Sequence, residues 1–163
     1  MPYLLVIVFI ICAIISPVGF GNSEPFYGYF TYHFFHVNWV HLLLNSLALI
    51  TLYRMINQVL PWWKIMLFSY LYSTLAAPLA SQPISTIGSS GMISSMIGLF
   101  YALILRGDLT INNKKQFIIF TSSTFIWLAV SLISPISNGL LHLLSIVFSL
   151  TYAIKNTGSP RHS

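Results

Sequence analysis

The stretch His36-Val37-Asn38-Trp39-Val40-His41-Leu42-Leu43-Leu44-Asn45-Ser46-Leu47-Ala48-Leu49-Ile50 decides how the chain is read. It opens an apolar run from about His36 to Met55 that meets no charged residue before Arg54. A helix of about 20 apolar residues spans the hydrocarbon core of a bilayer. Yet this run carries His41 and Asn45, four residues apart and so on one helix face. Polar groups inside a membrane are costly, and they mark function more often than they do in soluble cores.

Composition extends the reading to the whole chain. Of its 163 residues 56% are apolar and 6% charged, whereas soluble domains carry about 25% charged residues. With a mean hydropathy of +0.83, there is too little charge to cover a water-facing surface. The expected fold class is therefore all-α, a polytopic membrane protein. At about 20 residues per span the length admits about six transmembrane helices and no separate soluble domain. The net charge of +5 comes from basic residues placed singly or in one pair. No basic patch forms, so nucleic acid is not an expected partner. The lone Cys12 offers neither a disulfide nor a cysteine metal site and reads as a packing residue.

Six apolar runs stand between short polar breaks: Tyr3 to Ile15, His36 to Met55, Trp62 to Leu79, Ser90 to Leu105, Gln116 to Ile133, and Gly139 to Ile154. Ser16-Pro17, then Gly19, Gly21, Asn22, Glu24, Pro25 and Gly28, mark the first loop. Ser81-Gln82-Pro83 breaks the third run, and Ser134-Pro135 ends the fifth. The expected organisation is a membrane domain over residues 1–155 and a short polar tail over 156–163. The first run has a rival reading as a cleaved signal peptide. Against it stand the missing basic n-region and the missing small-x-small cleavage site.

Charge tests the count of six. Loops then alternate sides, and Arg54, Lys64, Arg106, Lys114, Lys115, Lys155 and Arg161, all the Lys and Arg of the chain, fall on one side. The positive-inside rule puts both termini in the cytoplasm. The expected location is the cell (inner) membrane. In this topology His41, Asn45, Ser90 and His142 all lie in the outer half of the membrane.

The chemistry of that set suggests roles. A serine hydroxyl is a weak nucleophile unless a base takes its proton, and His142 is a suitable base for Ser90. The only acids are Glu24 and Asp108, outside the membrane runs, so serine chemistry here must use a dyad. His41 and Asn45 both carry donors of the kind an oxyanion site requires. Gly91, Ser95 and Gly98 form one stripe of small residues, and Gly139, His142, Ser145 and Ser149 another, which lets membrane helices approach closely. Each feature alone has a plainer reading. Gly88-Ser89-Ser90-Gly91 can be a structural turn, His142 a helix-start histidine bonded to a carbonyl, and His41 with Asn45 interhelical glue. His33 and His36 can serve only the first loop. The combination at one depth is far more specific.

The segment from His36 through His41 to Asn45 resembles the HxxxxHxxxN pattern of the rhomboid family. Gly88-Ser89-Ser90-Gly91 with Gly98 resembles its GxSG motif and the glycine that follows. Asn138-Gly139 through His142 resembles the start of its last core helix. Phe30-Thr31-Tyr32 with Phe34, Phe35 and His36 resembles the usual lead into the second helix. The resemblance implies a minimal six-helix core and an intramembrane serine protease. By it Ser90 is the nucleophile and His142 the general base. His41, Asn45 and the Ser90 backbone N–H would bind the oxyanion. His36, Gly88, Gly91, Gly98 and Gly139 would give structural support. The substrate would be a transmembrane segment of another protein, cut near the outer surface. The segment between the third and fourth helices would dip into the membrane and open outward. No cofactor or metal is implied, and the partners are substrate and lipid bilayer.

Five positions depart from the family pattern. Tyr27-Gly28 stands where Trp-Arg is frequent, and Leu141 where a small residue precedes the histidine. Ser145 replaces a glycine. Ser94 replaces the aromatic that packs on the catalytic imidazole, which implies a less constrained His142 and room for tyrosine at 94. Two other functions remain open: an idle rhomboid-like protein that binds membrane segments, and a small transporter or channel. The latter would more often use an intramembrane carboxylate.

Overall fold

The computed structural model describes residues 2–12, 21, 25–83, 85–134 and 137–156. The end of the first run with Ser16-Pro17, the loop residues Gly19, Asn22 and Glu24, Pro135, and the tail from 157 onward lie outside the described residues. Helix α1 is Pro2–Cys12 and α2 is the short Gly28–Thr31, continued by a 3-10 turn over Tyr32–Phe34. Then come α3 (Trp39–Ile56), α4 (Trp62–Ala76) with a 3-10 turn over Ala77–Ala80, α5 (Ser90–Leu105), α6 (Lys114–Ile133) and α7 (Gly139–Asn156). Among the described residues there is no β-strand.

Capping sets where the helices begin. Helix α3 starts at Trp39 rather than at His36 because the Asn38 side chain accepts the backbone N–H of His41 at 2.8 Å. Asn113 does the same for Gln116 at 3.1 Å, so α6 starts two residues before the expected Gln116. Asn138 accepts the N–H of Leu141 at 3.0 Å and opens α7. Each side-chain oxygen satisfies a donor that the first turn leaves orphaned. The third apolar run ends as an α-helix at Ala76 and finishes as a 3-10 turn.

Helix α5 is the axis of the bundle. Every residue from Gly91 to Phe100, then Ala102 and Leu103, is buried. Helices α7, α4 and α3 pack around it, α1 lies on α3, and α6 lies on α7. Phe9 of α1 is fully buried, its ring near those of Phe34 and His36, so α1 is part of the packed structure. The half-buried Cys12 is a free thiol at the end of that helix.

Polarity is distributed the opposite way from a water-soluble bundle. Ser46, Ser69, Ser73, Ser94, Ser95, Ser145 and Ser149 are buried, while Leu43, Leu44, Leu71, Phe125 and Ile126 are exposed. Ser131 is the buried residue of α6, and Ile133 beside it is 82% exposed. Such a surface suits lipid, which solvates apolar side chains and leaves backbone groups to be satisfied within the helices. Helices α3 and α6, of 18 and 20 residues, are long and apolar enough to cross a membrane. Helices α1, α4 and α5, of 11, 15 and 16 residues, are shorter than the about 20 residues of a full span.

Helices α5 and α7 approach closely at Gly98, where a Cβ would collide with the Ser149 hydroxyl and the Ile146 carbonyl oxygen. That carbonyl belongs to a helix backbone and cannot swing aside. Gly98→Ala is expected to destabilise the protein by about 1–3 kcal/mol, seen as a lower Tm in detergent. Phe125→Ala on the lipid-facing side of α6 should change Tm little. Equal melting of Gly98→Ala and the parent would show that the two helices are not held at this distance.

Candidate functional site: a serine and a histidine at the head of the central helix

The turn that presents Ser90 is built by the segment after α2. Gly88 has φ of +127°, a conformation L side chains rarely adopt, and its N–H donates to the Tyr32 carbonyl at 3.0 Å. The next residue, Ser89, pairs its hydroxyl with His36 Nε2 at 3.3 Å. The Tyr32 hydroxyl donates to the Ser73 carbonyl at 3.2 Å, and His33 Nε2 meets Thr74 Oγ1 at 3.1 Å. Burial pushes the His33 imidazole down to about 3, so it stays neutral. His36 thus contacts the residue before Ser90.

Helix α7 brings the histidine. His142 is 4% exposed, and its Nε2 lies 2.9 Å from Ser90 Oγ. Its Nδ1 lies 2.7 Å from Ser131 Oγ, which in turn pairs with Ser137 Oγ. The Trp127 ring lies 4.6 Å from the imidazole, centroid to centroid, tilted by 31°. Asn138 fixes the start of α7 to the segment before Ser90. Its amide donates to the Ala80 carbonyl at 2.8 Å and to Thr86 Oγ1 at 2.9 Å.

Helix α3 supplies the third side. A Cβ on Gly88 would lie 2.6 Å from His41 Cε1, 3.1 Å from His41 Nε2 and 3.4 Å from Asn45 Nδ2. The His41 ring and Asn45 amide therefore press against the backbone two residues before Ser90. The Asn45 amide nitrogen is buried and has no hydrogen-bond partner among the described residues. The His36 and His41 rings pack edge to face at 5.3 Å.

All four polar residues singled out in the sequence come together. Two secondary readings change. Gly139 does not extend the small stripe toward α5. A Cβ there would lie 2.5 Å from the Leu132 Cα and the Ser131 carbonyl, so this glycine admits α6 instead. Gly91 faces Tyr32 and Ser73 as well as Leu141 of α7. The imidazole that Ser94 leaves without an aromatic is covered from another helix, by Trp127. Ser94 is itself fully buried and donates back to the Ser90 carbonyl at 2.8 Å. Sequence reading passed over Trp127, Ser131 and the tying role of Asn138. The available signal was that Trp127 and Ser131 are four apart and share a face of α6. Asp108 pairs with Arg106 at 2.8 Å, beyond the far end of α5.

A bundle with an apolar outer surface and a serine–histidine pair among its helices defines a class of helical membrane proteins. The rhomboid domain family model matches residues 23–157. The chain belongs to the rhomboid family and is an integral membrane protein. That family consists in general of intramembrane serine proteases and includes inactive members. No curated protein matches the chain.

Because Ser94 has no exposed surface, Ser94→Tyr is expected to overpack the start of α5, at a cost of about 1–3 kcal/mol or more. Its Tm in detergent should fall well below the parent's. An unchanged Tm would mean that α5 can shift to admit the ring and that the space beside His142 is adjustable.

Proposed function

We propose that the chain is an intramembrane serine protease in which Ser90 attacks a peptide carbonyl and His142 is its general base. The observation that carries this reading is the 2.9 Å contact between Ser90 Oγ and His142 Nε2. With Nδ1 protonated, Nε2 accepts the Ser90 proton as the hydroxyl adds to the carbonyl carbon, and later returns it to the leaving amine. The oxygen that gains negative charge is met by the Ser90 backbone N–H, the Asn45 amide and the His41 ring. An unpartnered buried donor such as Asn45 Nδ2 is what such a site needs, since it forms its bond only when charge develops.

The substrate in this reading is a transmembrane segment of another protein. In this reading Ser90 and His142 supply the nucleophile and the base, and water is the co-reactant, so no cofactor is called for. The proposed topology has six membrane-embedded helices, residues 1–155, with both termini and the tail from 156 in the cytoplasm. A helix of 16 residues rises about 24 Å against a hydrocarbon core of about 30 Å. With Arg106 at the cytoplasmic interface, Ser90 then lies a few ångströms below the outer surface, where water can reach it.

Three experiments test the reading. A purified preparation should cleave a generic membrane-segment substrate and label with a fluorophosphonate. Ser90→Ala and His142→Ala should do neither while keeping their Tm. A folded parent that neither labels nor cleaves would instead favour an idle segment-binding member of the family. Asn45→Ala should lose on the order of 10²–10³ in kcat with KM and Tm nearly unchanged. An Asn45→Ala protein that melts early yet cleaves normally at low temperature would make the pair structural glue. For topology, a reporter active only outside the cytoplasm, fused after Lys155, should be silent. Activity there would overturn the orientation.

A further inference from the structure

We propose that Ser131 and Trp127 of α6 are positioning residues that fix the tautomer and plane of the His142 imidazole, in place of an acid and of an aromatic on α5. The inference rests on the protease reading above and deepens it. A base acts on the Ser90 proton only if its Nε2 is the unprotonated nitrogen. The proton must then sit on Nδ1, and that N–H needs an acceptor where it points. Ser131 Oγ lies there at 2.7 Å, and Ser137 Oγ is within reach to accept the proton of its hydroxyl. With the proton on Nδ1, the donors run from Nδ1 to Ser131 to Ser137 and leave Nε2 free to accept from Ser90.

The second contact acts on the ring plane. The indole of Trp127 covers one face of the imidazole at 4.6 Å. Trp127 and Ser131 are one helical turn apart, so a single rigid helix sets both the rotation and the edge of the ring. When His142 takes up the proton, the indole face meets a cation, an arrangement that favours the charged form. The backbone of Ser131 is itself held close to α7, because a Cβ on Gly139 would lie 2.5 Å from its carbonyl oxygen.

The test uses the full-length protein in detergent, with nitrogen NMR of labelled histidine beside kinetics. In the parent, Nδ1 of His142 should carry the proton. Ser131→Ala should give a mixture of tautomers, and Ser131→Thr should restore the parental signal. Ser131→Ala should lose about tenfold to hundredfold in kcat and in fluorophosphonate labelling of Ser90, with KM and Tm little changed. Ser131→Thr should recover most of both. Trp127→Leu should lower kcat in the same way, and Trp127→Phe should lower it less. A parental tautomer and parental kcat in Ser131→Ala would overturn the proposal, as would a threonine variant as slow as the alanine one. A parent that shows the single tautomer but neither labels nor cleaves would overturn the protease reading and leave the positioning role standing.

Discussion

Helix α5 can be enclosed from Gly91 to Phe100 because α7 comes close enough to replace lipid there, and Gly98 marks that closeness. Within a bilayer, apolar helices gain little by exchanging lipid contacts for each other. Association then depends on dispersion between well-fitted surfaces and on small residues that let backbones meet. Ser145 and Ser149 of α7 and Ser95 of α5 are fully buried for the same reason. Once the two helices are locked, the head of α5 and the first turn of α7 have no freedom left to separate. The distance between Ser90 and His142 follows from packing well below them.

The same economy accounts for some of the internal hydroxyls. Ser73 donates back to the Ser69 carbonyl at 2.8 Å, Ser94 to that of Ser90 at 2.8 Å and Thr124 to that of Phe120 at 2.9 Å. A hydroxyl bonded to its own helix is small yet leaves no donor unpaired, which suits a close interface in a medium without water. Among the described residues the hydroxyls of Ser46, Ser69, Ser95 and Ser145 are buried without a partner, as is the Asn45 amide, and among these the amide is the group set against the backbone before Ser90. It faces the Gly88 turn, where a reacting carbonyl would arrive.

Much of this was legible in the sequence, for identifiable reasons. Helix α5 begins at Ser90 and ends at Leu105, as its apolar run indicates, because glycine and serine punctuate one end and Arg106-Gly107 the other. His41 and Asn45 could be read because a helix of 3.6 residues per turn turns a spacing of four into a shared face, whereas His36, which lies ahead of α3, came from the family resemblance alone. The turn from Gly28 to Phe34 was not legible. It has no hydrophobic period, and bonds from Tyr32 and His33 to α4, far off in the chain, define it. The cover of His142 was missed for a related reason. Sequence reading looked on α5 for the aromatic, and nothing in one chain says that a neighbouring helix can present it instead. Capping by Asn38 and Asn113 moved two helix starts by two or three residues, a scale on which apolar runs carry no information.

Among the described residues no carboxylate lies near His142, and this has a physical logic. An ionised acid placed beside the imidazole would have to be stripped of water in a low-dielectric bundle, and a lone buried charge there is strongly penalised. It would be compensated only while His142 is protonated, a short part of a catalytic cycle. A serine hydroxyl accepts the Nδ1–H without carrying a charge in the resting state. Its cost is therefore nearly constant as the imidazole gains and loses its proton. The hydroxyl offers weaker stabilisation of the imidazolium, and the Trp127 face supplements it with an attraction that also needs no buried charge. Orientation by neutral groups is the solution that lets the same packed core exist with the histidine in either protonation state.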